Sequence, residues 1–83
     1  MAVDQLLRDA GLRVTRPRAA VLTAVHATPH ADTTTLINVV REGLPDVSHQ
    51  AVYDSLHPLT NAGLVRCIEP AGSAARYEAR VGD

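Results

Sequence analysis

The sequence has no lysine, no tryptophan and no phenylalanine, and among its 83 residues only one cysteine and two tyrosines. Each absence excludes something. Without Trp or Phe the core must be aliphatic, with Tyr53 and Tyr77 the only rings available to it. With Cys67 alone, neither a disulfide framework nor a cysteine zinc site can form within one chain. No apolar run has membrane-spanning length and no secretory leader pattern is present. The expectation is a cytoplasmic protein with no membrane partner. Gly-rich phosphate loops and local nucleophile motifs are also missing, so neither an enzyme nor a small-molecule substrate is expected. A chain this short is one domain, and it buries only about 60% of its unfolded surface.

The formal net charge of −1 does not advertise a nucleic-acid partner, but the distribution of charge says more. Arg13, Arg16 and Arg18 cluster in a stretch free of acid, and all eight Lys+Arg positions are Arg. Two causes are open. One is coding bias, since Ala, Arg, Val and Asp are all abundant. The other is function, because guanidinium groups fork onto phosphates and enter narrow minor grooves better than ammonium groups do.

Helical spacing of Val3, Leu6, Leu7 and Ala10 predicts a short first helix closed by Gly11. In "LRVTRPRAAVLTAVHA", Pro17 suits a first helical turn after Thr15, and the apolar stripe Ala20, Val21, Ala24, Val25 runs to about Ala27. A third helix is predicted over Thr33 to Glu42, capped by Asp32 or Thr33, with Gly43 as a left-handed cap and Pro45 as a stop. Ser48 caps a fourth helix that closes at Gly63. Val52, Leu56 and Leu59 form its buried face, with Ala51 and Ser55 at the edge. The period then changes. "LVRCIEP" and "ARYEARV" read as two short strands joined by Pro70 to Ser73, a ribbon that must pack on the helices to be stable.

Four helices followed by a two-stranded antiparallel hairpin make a winged helix-turn-helix, mainly α with a small β wing. The second helix of such a pair lies in the major groove, with its N-terminal residues on base edges. That explains an odd polar face. His49, Gln50, Tyr53 and His57 carry no firm charge, where a solvated helix would carry Glu, Lys and Arg. Uncharged donors and acceptors can read bases, and a tyrosine ring can pack on a thymine methyl.

"GLRVTRPR", "PHADTTTL", "VSHQAVYDSLHPLTNAGLV" and "ARYE" occur in the order found in the ferric uptake regulator (Fur) family. Over Gly11 to Asp83 the chain resembles that family's N-terminal DNA-binding domain, most closely the actinobacterial FurA/CatR-type repressors. The resemblance implies a metal-dependent transcriptional repressor that binds an A/T-rich inverted repeat in double-stranded DNA, under iron or peroxide-stress control. It implies that Arg13 enters a minor groove, Arg18 contacts phosphate and Tyr53 contacts thymine. Arg16 adds electrostatic grip, Ser48, His49 and Gln50 join the reading face, and Arg76 belongs to the wing that meets adjacent backbone. It also implies that His30 and Glu78 are two ligands of a regulatory site for a divalent metal (Fe, Mn or Zn) between this domain and the next.

Family members continue with a His-rich segment, a dimerisation domain and Cys-x-x-Cys motifs. The chain stops at Asp83, so metal sensing and homodimerisation are expected to be incomplete in it, with no metal held by two ligands where zinc-type sites need about four. Three positions depart from the family: Asp54 replaces the usual Arg after the tyrosine, Ala51 replaces Thr, and Pro58 stands where a helix-compatible residue is usual. Pro58 is expected to kink the fourth helix and push His57 from helical angles, leaving Ser48 to Ser55 able to dock. Cys67 reads as an inert thiol and Glu78, outside the family context, as a solvent-facing residue of an edge strand. Two rival readings stay open: a winged-helix protein-interaction module, and a zinc- or nickel-sensing member of the same family.

Overall fold

The computed structural model describes residues 2–69 and 71–80. Four helices come first, α1 (Val3–Asp9), α2 (Arg16–Ala27), α3 (Thr33–Gly43) and α4 (His49–Asn61). Three strands, β1 (Ala31–Asp32), β2 (Val65–Ile68) and β3 (Arg76–Ala79), form one antiparallel sheet in the order β1-β3-β2. The architecture is a winged helix.

Local chemistry sets the helix ends. Thr15, Asp32 and Ser48 are extended at the N-caps, and their side-chain oxygens accept from the N–H groups of Arg18, Thr35 and Ala51 at 3.2, 2.9 and 3.0 Å. Gly11 and Gly63, at φ of +77° and +81°, close α1 and α4. In both, the two N–H groups after the cap turn back: Gly11 onto Arg8 and Leu12 onto Leu7, Gly63 onto Thr60 and Leu64 onto Leu59. This pair of bonds satisfies carbonyls that the helix itself cannot.

Three expectations need correction. Gly43 is the last residue of α3 and not a left-handed cap; the exit is made by Leu44 at φ −131°. The following Pro45 disfavours helical angles at Leu44, which leaves the helix there. At Pro58, α4 runs on without a break from His49 to Asn61, so His57 stays in the helical run and is not pushed out of it as expected. The missing N–H removes one bond, but the Pro58 carbonyl accepts from Ala62 N–H at 3.0 Å and the last turn is kept. The wing, finally, keeps the expected antiparallel hairpin, β2–β3, but a third strand joins it. β1 pairs Ala31 with Tyr77 and Asp32 with Arg76, so β3 is central and Glu78 does not lie on an edge strand.

Leu22 and Val21 of α2, Leu36 of α3, Val52 and Leu59 of α4, Leu7 of α1 and Val65 of β2 are fully buried and fuse the elements into one aliphatic core. Ser55 is the polar exception at 5% exposure, and its hydroxyl donates to the Ala51 carbonyl at 2.8 Å. Among the described residues no helix is long and apolar enough to cross a membrane.

Candidate functional site

The burial of Val52, Leu56 and Leu59 turns the opposite side of α4 outward. Ser48, His49, Gln50, Tyr53 and His57 are all exposed, and Tyr53, at 50%, is the one large hydrophobic residue so displayed among the described residues. A half-exposed ring on a polar helix face has apolar surface to offer a partner. Two members of the face are already engaged. The Ser48 hydroxyl caps the helix through the Ala51 N–H, so at Ser48 the cap holds the helix rather than leaving a free reader. Gln50 Nε2 donates to Asp54 Oδ1 at 2.9 Å, one turn along. Asn61 and His57 are linked in the same way at 3.1 Å.

The start of α2 lies beside this helix. Thr15, Pro17 and Arg18 line a shallow notch with Ala51, Asp54 and Ser55 of α4. Arg13 and Arg16 are exposed next to it, whereas Arg18 is partly buried and donates from its guanidinium to the Arg13 carbonyl at 2.9 Å. That bond braces the loop between α1 and α2, so Arg18 holds Arg13 in position as well as adding charge. The notch also puts Asp54 opposite a helix N-terminus and an Arg, where an acid is tolerated.

The other candidate site forms on the wing. His30 Nε2 lies 2.8 Å from Glu78 Oε2, joining residues far apart in the chain. Glu78 faces Arg66 across the β2–β3 ladder, and the Arg66 guanidinium holds its second oxygen. Arg76 donates to the His30 carbonyl at 3.1 Å, which places it at this corner. His30 adopts a left-handed backbone, φ +60°, a region in which histidine is commoner than most side chains. The Arg66 hydrogen bond, followed by that of His30, holds the Glu78 carboxyl below its ordinary range against the raising effect of desolvation. Thr35 does the same for Asp32 at the start of α3.

An imidazole nitrogen and a carboxylate oxygen side by side are a donor pair suited to a divalent transition metal. They fit part of a site only, because no group of three His, Cys, Asp or Glu gathers among the described residues. Further donors would have to come from elsewhere. Arg66, which the sequence reading passed over, is a built-in competitor for Glu78; only strand register brings the two together.

Register also assigns the sheet its two faces. Arg66 and Glu78 lie on one, Cys67 and Tyr77 on the other. The second face closes over α4: Tyr53, Leu56, His57, Thr60 and Asn61 line a groove of about 290 Å³ with Cys67 and Tyr77. Burial, and after it the adjacent Cys67 thiol, pushes the Tyr77 hydroxyl above its ordinary range.

The model of the ferric uptake regulator family matches residues 9–83. Over 77 residues the chain is 71% identical to the transcriptional regulator FurA of Mycobacterium tuberculosis, covering 93% of this chain and 52% of that protein. It thus spans about half the length of the curated relatives it matches. Among solved structures it resembles the ferric uptake regulator of Pseudomonas aeruginosa with manganese, at 31% identity and TM-score 0.84, covering 95% of this chain and 60% of that one. The ferric uptake regulator of Vibrio cholerae gives TM-score 0.84 at 26% identity, over 94% of this chain and 61% of that one. The family is one of transcriptional regulators and not of enzymes, and this chain belongs to it.

Proposed function

We propose that the chain is the DNA-reading domain of a metal-dependent repressor that binds an A/T-rich inverted repeat under iron or peroxide-stress control. The observation that carries this reading is the outward face of α4, where His49, Gln50 and Tyr53 stand exposed beside the basic segment Arg13 to Arg18. A face of polar readers with one acid, Asp54, held by Gln50, and flanked by arginine, matches what a duplex demands. Bases are read by hydrogen bonds and methyl contacts, and the backbone by positive charge. Arg13 and Arg16 supply the charge, Arg18 braces their loop, and Ser48 fixes the start of the reading helix. Arg76 acts on the wing corner, with backbone contact a further role.

In the same reading His30 Nε2 and Glu78 would hold a divalent metal together with donors from the rest of the repressor, and a metal so held would supply a cross-link between this domain and that part. For that, His30 Nε2 would need its lone pair free of a proton, and Glu78 would offer a carboxylate oxygen that now accepts from His30 or Arg66. Two copies then meet two half-sites.

Fluorescence anisotropy with an A/T-rich inverted-repeat duplex and a scrambled duplex, over a salt series, tests the reading. If about three phosphates are neutralised per domain, the log–log salt slope is near −2.7 per monomer. Preference for the repeat supports operator reading. A folded protein that binds neither duplex at low salt refutes it and favours a protein-interaction role. Tyr53→Ala is expected to weaken the repeat more than the scrambled duplex.

A further inference from the structure

We infer that Asp54 is a specificity-determining residue that works through Gln50, fixing its side-chain amide so that α4 accepts adenine and rejects guanine at one base position. The inference rests on the DNA-reading function proposed above and adds to it which base Gln50 selects.

A glutamine amide has two ends. The oxygen accepts and the nitrogen donates, and rotation about the last side-chain bond exchanges them. On a bare helix surface both orientations are populated, and the residue can offer either end to a base edge. Here it cannot choose freely. An ionised carboxylate only accepts, so whatever faces Asp54 must be the amide nitrogen, as the 2.9 Å contact from Gln50 Nε2 to Asp54 Oδ1 has it. One N–H is thereby occupied. The second N–H and the carbonyl oxygen remain, a donor and an acceptor side by side in fixed order.

Gln50 is the second residue of α4, just past the Ser48 cap, where a recognition helix presents side chains to base edges. In the major groove adenine shows an acceptor at N7 and a donor at N6, which matches one free N–H and one free carbonyl. Guanine shows two acceptors, N7 and O6. A freely rotating amide could turn both N–H groups toward them, but Gln50 has only one N–H left, and its carbonyl would oppose O6. Asp54 therefore acts by exclusion, removing the orientation that would tolerate the wrong base. Its own charge is accommodated because it lines the notch with Arg18 and the N-terminal turn of α2.

The test is enrichment of a randomised duplex pool by the chain itself, followed by competition with each single base-pair change. The wild type is expected to select adenine over guanine at one position. Asp54→Ala should flatten that ratio roughly tenfold, at the low end of what a good bidentate pair discriminates, while total duplex affinity holds or rises as a negative charge is lost. Gln50→Ala should flatten the same position, and the double variant should be no worse than Gln50→Ala alone. Asp54→Asn, whose amide can turn either way, should fall between and covers the case in which Asp54→Ala does not fold.

An unchanged adenine-to-guanine ratio in folded Asp54→Ala or Asp54→Asn overturns the inference. So does loss of a cytosine preference that persists in Gln50→Ala, which would make Asp54 a direct reader. A folded wild type that binds duplex and enriches no sequence removes base reading itself, and this inference with it.

Discussion

The face of α4 and the corner of the wing are built in opposite ways. On α4 every residue of interest comes from one helix, and its partners lie three or four positions away: Ser48 with Ala51, Gln50 with Asp54, His57 with Asn61. At the wing corner His30, Arg66, Arg76 and Glu78 come from three separated segments and meet only through sheet pairing. The first arrangement exists as soon as a helix forms. The second exists only once the whole chain has folded, so it responds to anything that shifts the sheet.

The comparison fails most completely where both regions share a support. Leu59 is fully buried in α4, and its carbonyl receives Leu64 N–H at the entry to β2. Leu59→Ala is expected to cost roughly 3 kcal/mol in urea denaturation, a large share of a small domain's stability. It should remove the helix face and the wing corner in a single transition. Two transitions would show that they fold as separate units.

Milder changes should separate the regions. Pro58→Ala restores an N–H to the Asp54 carbonyl and should stabilise the protein by roughly 1–2 kcal/mol, less than the full helix-interior penalty of about 3 because α4 already runs through the proline. A fall in melting temperature would mean that Pro58 contributes packing that alanine lacks. Ser48→Ala removes the cap of α4 and should cost about 1 kcal/mol. It should weaken duplex binding while the His30 ring resonances stay where they are. Movement of those resonances would show coupling across the sheet.

The smallest effects concern charge at the wing. The folded-state carboxyls of Glu78 and Asp32 titrate below their ordinary values, so they stabilise the fold at neutral pH and lose that contribution as pH falls through the lowered values. Arg66→Ala should move the Glu78 titration, followed by NMR, back up toward the usual carboxylate range. If Glu78 is a metal ligand as proposed above, it should also tighten binding of a divalent metal by the full-length protein several-fold, since the ion no longer competes with a guanidinium. An unchanged Glu78 titration would mean that Arg66 is not its partner in solution.

How much could be read in advance follows the same division. The N-caps, the glycine closures at Gly11 and Gly63 and the buried stripe of α4 were legible because each depends on neighbours within a turn. The outward face of α4 was legible for the same reason. Strand β1 was not, since Ala31 and Asp32 have no pattern of their own and are a strand only because Tyr77 and Arg76 pair with them. Arg66 was invisible as a partner of Glu78 until the register was known. His30 and Glu78 were found together through family resemblance, not spacing, and the structure puts them within 2.8 Å. Gly43 misled because the neighbouring Pro45 already takes Leu44 out of the helix, and His57 because the helix continues through Pro58 with only one backbone bond lost.

In β3, Tyr77 and Glu78 are consecutive, yet their side chains belong to opposite faces of the sheet, one toward the α4 groove and one toward His30. The two chemistries are thus a single peptide unit apart. The sheet is a partition one strand thick: strand alternation alone keeps the groove against α4 apart from the corner at His30, so either side chain can be changed while its neighbour in β3 stays in place.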